Sequence, residues 1–100
     1  MLENAKRDYI QRATTLSDDA RVLLDVGKFH LMNQDSSSAV RTLGESLSLD
    51  PGLHASRYFI ALALIAQGRT AEARTQLTRI PKDDSYAEAA QKILAAIKGG

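Results

Sequence analysis

Residues 46–68 read SLSLDPGLHASRYFIALALIAQG. An Asp-Pro-Gly turn signal precedes a run in which Tyr58, Phe59, Ile60, Leu62, Leu64 and Ile65 are separated only by alanines. Such a run is a membrane segment, a buried core helix, or a helix with one apolar face left open. Length rejects the first reading. The run covers nine residues, Tyr58 to Ala66, before Gln67, Gly68 and Arg69 close it, and a spanning helix needs roughly 20. A helix apolar nearly all round is expected to be covered on both sides.

The rest of the chain is helical in the same manner. Alanine occurs 15 times and leucine 13 times, both strong helix formers, and no segment shows clean period-two alternation. Six helices are expected. The first runs from Glu3 to Thr15. The second follows the capping signals Ser17, Asp18 and Asp19 and ends near Met32. The third covers Ser37 to Ser48 after NQDSSS at 33–38. The fourth starts at Asp50-Pro51, with the carboxylate as cap and proline in the first turn, and ends at Gly68. The fifth follows Thr70 and stops at Pro81, and the sixth follows Asp83, Asp84 and Ser85. The short connections predict antiparallel neighbours, so the fold class is an all-α row of helical hairpins.

At an offset of 34 the chain matches itself. Ala39 falls on Ala73, Leu43 on Leu77 and Asp50 on Asp84, the three identities between residues 20–53 and 54–87. Chemical class agrees more widely: Val26 with Ile60, Gly27 with Ala61, Leu31 with Ile65, Asn33 with Gln67. Backwards, Ala5 and Tyr9 fall on Ala39 and Leu43; forwards, Leu94 and Ala95 fall on Ile60 and Ala61. Glycine inside a helix costs up to about 1 kcal/mol against alanine. Gly27 and Ala61 therefore read as places where a partner helix approaches closely, with Ala39 and Ala73 as the facing small residues and Leu23, Leu43 and Leu47 filling the groove beside them.

This spacing of small, large and turn residues resembles the tetratricopeptide repeat family, whose unit is a pair of antiparallel helices with a period of about 34. The resemblance implies an α-solenoid with units at 20–53 and 54–87, a half-repeat helix at 2–16, and a capping or half-repeat helix at 84–98. Leu23 and Arg57 stand where the family has an aromatic residue, and His30 and Leu64 where it has a tyrosine. The family lines a concave groove with the first helix of each unit. Carried over, the groove is Arg21, Leu24, Asp25, Lys28, Leu31 and Met32 from the first unit. The second gives Tyr58, Phe59, Leu62 and Ile65, with Ala55 and Ala66 at its margins. The last helix adds Lys92 beside Ala89, Ile93 and Ala96. The second unit has no groove cation or asparagine, which argues against a basic clamp for a C-terminal carboxylate.

The resemblance implies a non-catalytic protein-interaction module that binds an apolar or amphipathic peptide or helix. The alternatives are a homo-oligomerisation or structural module whose groove is filled by another copy, and a regulatory segment of a larger protein. The expected partner is a protein or peptide. Thirteen basic against twelve acidic residues, a net charge of +1, argue against nucleic acid, which needs clustered Lys and Arg.

Chemistry finds little support. There is no cysteine, so thiolate catalysis and cysteine metal sites are absent. His30 and His54 are the two imidazoles and lack a ligand cluster at metal spacing. His30 reads as a hydrogen-bonded structural residue and His54 as a surface one. Asp18-Asp19 and Asp83-Asp84 read as helix caps, and Ser36-Ser37-Ser38 as a cap and turn. The isolated glycines make no phosphate loop, so no cofactor is expected and the chain reads as a non-enzyme. Neither end carries a secretory leader pattern. The expectation is a cytoplasmic chain, or an excised piece of a longer protein, for which envelope association stays open.

Overall fold

The computed structural model describes residues 2–97, with side chains from Thr15 onward. Five helices follow one another: α1 (Leu2–Met32), α2 (Ser36–Leu49), α3 (His54–Ala66), α4 (Thr70–Thr78) and α5 (Ala87–Ile97). No strand occurs among the described residues. Each helix packs on its sequence neighbours, and α1 also touches α3, giving an elongated body of 58 × 29 × 18 Å. The contacts run in opposite directions along neighbouring helices. Ser17 meets Asp50, Ala20 meets Ser46, and Gly27 lies against Leu43, so α1 and α2 are antiparallel. Ser46 meets Ser56 and Ser37 meets Gln67, so α2 and α3 are too.

The repeat is written in the backbone bonds. At the end of α1, Asn33 N–H bonds the carbonyls of Phe29 and His30, and Asp35 N–H bonds that of His30. At the end of α3, Gln67 and Arg69 repeat these bonds to Ala63 and Leu64. The αL residue each turn needs is Gln34 at φ 61° and Gly68 at φ 76°, again one period apart. Ala39 N–H then bonds Asp35 and Ala73 N–H bonds Arg69; Leu53 bonds Asp50 and Ala87 bonds Asp84. An L-residue with a Cβ pays about 1 kcal/mol or more for αL, and glycine does not. Gln34→Gly is therefore expected to raise the unfolding free energy by about 0.5–1 kcal/mol, net of glycine's larger unfolded-state entropy. Urea unfolding checks this; no gain would mean that Gln34 is unstrained.

The core runs through the crossings. Ala39, Leu43, Ile60, Ala61, Ala63, Leu64, Ala73, Leu77, Ile80 and Ala90 are buried. At Gly27 the close approach is real: a Cβ built there would overlap Leu43 Cγ and Cδ2. The residue seated on Gly27 is thus Leu43, rather than the expected Ala39. A polar chain crosses the same layer. Ser46 Oγ donates to the Ala20 carbonyl at 2.7 Å and lies 2.8 Å from Ser56 Oγ. Ser46 has one proton, spent on the carbonyl, so Ser56 donates to Ser46. Both serines are fully buried, and they tie α1, α2 and α3 together.

Three local expectations are corrected. Residues 2–32 form one helix without the break expected at Ser17–Asp19. Ser and Asp favour a helix start, yet with no glycine or proline nearby nothing forces the chain to turn. Asp50 does not cap α3; it ends α2 and accepts the Gly52 N–H at 3.1 Å, which leaves Pro51 in the turn and Leu53 at the cap position. Asp84 accepts Tyr86 N–H before α5 starts at Ala87. Asp35 does cap α2: its carboxylate accepts Ser38 N–H at 3.2 Å, and bonding to Ser38 holds its pKa below the usual carboxylate value.

Candidate functional site

Two helices of the same type, the C-terminal half of α1 and α3, lie side by side and leave a groove between them. Lys28, Leu31, Met32, Phe59 and Leu62 line it, around a volume of about 460 Å³. The spacing explains the assembly. Lys28, Leu31 and Met32 share one helical face at i, i+3 and i+4, and Phe59 and Leu62 share one at i and i+3. The opposite face of α3, with Ile60, Ala61 and Leu64, is buried. Met32 is 83% exposed and offers a flexible thioether at the rim, a side chain that adapts to varied apolar partners.

Aromatic packing stiffens the floor. Phe59 meets Tyr58 edge to face, centroids 5.2 Å apart, and Tyr86 lies 5.0 Å from Tyr58 and 5.8 Å from Phe59. The Lys28 ammonium sits over the Phe59 ring, 5.0 Å from its centroid, a cation–π contact that leaves a positive charge at the groove edge. Behind the groove, Arg57 bonds the Pro51 carbonyl, His54 Nδ1 and Gln76 Oε1. It thereby anchors the start of α3 to the preceding turn and to α4, and partial burial lowers its pKa.

Of the residues expected at the groove, these five come together. Tyr58 joins through the aromatic cluster, and Ile65 is half-buried against the core. Leu24 is buried in the core. Arg21 and Asp25 are exposed on α1. Lys92 is exposed on α5, where it pairs with Glu88 at 3.5 Å. Sequence reasoning misses Tyr86, because it falls in a turn segment whose repeat equivalent is Gly52; only the fold brings it to α3. His30 lies 4.0 Å from Asp35. Among the described residues no three His, Asp or Glu side chains gather as metal ligands, and no helix is long and apolar enough to cross a membrane.

A family model described as tetratricopeptide repeat matches residues 30–97, more than half of the chain. No curated protein and no solved structure matches it.

Proposed function

Because this chain belongs to the tetratricopeptide repeat family, we propose that it is a non-catalytic interaction module whose α1/α3 groove receives an apolar or amphipathic segment of a protein partner. Repeats of this family generally mediate protein–protein interaction, and its members are typically scaffolds rather than catalysts. The units are 20–53 and 54–87, a division supported by the bonds that recur from one turn to the next. The observation that carries the reading is the composition of the groove: Leu31, Met32, Phe59 and Leu62, with one cation, Lys28, at the edge. An apolar trough with a charged rim suits a helix or extended peptide that buries alternate apolar side chains. It does not suit nucleic acid, which needs a track of cations.

The test is selection of displayed peptides against the wild-type chain, followed by binding to two variants. Met32→Asp alters an exposed side chain and leaves the fold intact. Phe59→Asp places a charge on the groove floor. Selected peptides are expected to be apolar or amphipathic and to lose about 30-fold or more in affinity for each variant, the size of a hot-spot loss. Circular dichroism confirms retained helix. Selected peptides that bind both variants as tightly as wild type would put the binding site elsewhere.

A further inference from the structure

One apolar face of α1 lies outside the groove. Val22, Val26 and Phe29, at i, i+4 and i+7, are 59%, 39% and 62% exposed. One period on, their equivalents Ser56, Ile60 and Ala63 share one face of α3 and are 0%, 5% and 0% exposed. Ser56 bonds Ser46 of α2, so a second-helix element covers this face in the unit that has one before it. The chain contains such an element for α1. Residues 2–15 stand one period before α2, and Ala5 and Tyr9 take the register of Ala39 and Leu43. Between them, residues 16–19 take the register of the turn Asp50–Leu53, with Ser17 and Asp18 in place of Pro51 and Gly52.

We propose that residues 2–15 are a hinged half-repeat, which closes by turning at residues 16–19 and docks over Val22, Val26 and Phe29 of its own chain. The unbroken α1 is the open form. Moving the Ser46–Ser56 contact back by one period sets Arg12 opposite Val22 in the closed form. An unbroken helix cannot fold back on itself, so the two forms exclude one another. Ser17, Asp18 and Asp19 are weak residues for a helix interior and strong ones for a helix start, which keeps the turn accessible. A second copy is the weaker occupant. Continued along one helix, the register positions of Ala5 and Tyr9 fall on a different side from those of Val22, Val26 and Phe29. Two unbroken helices therefore cannot both set Ala5 and Tyr9 on the other's exposed face at once.

The test uses spin labels at Arg7→Cys and Asp25→Cys in the full chain, which has no native cysteine. Arg7 takes the register of exposed Arg41, and Asp25 is itself exposed. The open helix sets the two backbones about 27 Å apart at about 1.5 Å per residue; closure brings the helix axes to about 10 Å. A short-distance population is expected in the otherwise wild-type chain. It is expected to grow in Ser17→Pro/Asp18→Gly, which restores the turn chemistry, and to shrink in Val26→Asp/Phe29→Asp. A long distance alone in the otherwise wild-type chain overturns the proposal, even if the Pro-Gly variant closes. So does a short distance between singly labelled chains mixed together, which would assign the face to a second copy.

Discussion

Leu43→Ala is expected to lower the unfolding free energy by about 3 kcal/mol, within the range of about 2–5 for a buried leucine. Leu43 is fully buried and seats its branched end on Gly27, so the space it vacates lies between two helix backbones that cannot readily close it. In a domain of this size the change moves Tm down by roughly 12–24 °C. Gly27→Ala attacks the same contact from the other side. The added methyl overlaps Leu43, and overpacking of this kind costs about 1–3 kcal/mol. Alanine's helix propensity offsets up to about 1, leaving a net loss of about 0–2. The double variant is the discriminating measurement. With Leu43 truncated, the methyl at position 27 enters free space, so the two losses are expected to fall short of additivity by about 1 kcal/mol or more. Strict additivity in urea unfolding would mean that the two residues do not touch.

Ser46→Ala is expected to cost about 2 kcal/mol, the scale of a buried polar group left unsatisfied, and Ser56→Ala less than about 1. The asymmetry follows from proton counting. Ser46 donates to Ala20 and accepts from Ser56. Its removal leaves the buried Ser56 hydroxyl without an acceptor, and an unsatisfied buried polar group costs about 1–3 kcal/mol. Removal of Ser56 leaves Ser46 still bonded to the carbonyl, and alanine is the better helix former. Ser46→Ala/Ser56→Ala takes away the stranded hydroxyl as well. It is expected to be no less stable than Ser46→Ala alone. Equal losses for the two single variants in urea unfolding would contradict the assigned direction of the bonds.

The repeat was legible because its signal is distributed. Gly27, Ala61, Leu43 and Leu77 each constrain one position, and together they fix a period that the hydrogen bonds of the two turns then repeat. The groove was legible to the extent that helical spacing alone decides it. Lys28, Leu31, Met32, Phe59 and Leu62 follow from placing two like helices side by side. Leu24 shares the face of Lys28 and Leu31 at i, i+4 and i+7 but lies a turn nearer the start of α1, where it joins the core, and a sequence does not state where along a face packing begins. Single local signals fared worse. Ser17-Asp18-Asp19 and Asp50-Pro51 both look like helix starts, yet the first lies within α1 and the second in a turn. Capping chemistry permits a boundary; a residue that cannot continue the helix enforces one. The serine pair was hidden because serine usually marks surface or turn, and its burial depends on three helices meeting. Tyr86 reaches Tyr58 and Phe59 only through the path of the chain between α4 and α5.

The central claim is that the α1/α3 groove is where a partner segment binds. Amide chemical-shift mapping with a selected amphipathic peptide tests it most directly. The largest changes are expected at Lys28, Leu31, Met32, Phe59 and Leu62, saturating together at one affinity, with Glu45, Ser48 and Thr75 on the outer helices unmoved. Changes centred on α2 and α4, with the groove residues silent, would contradict it.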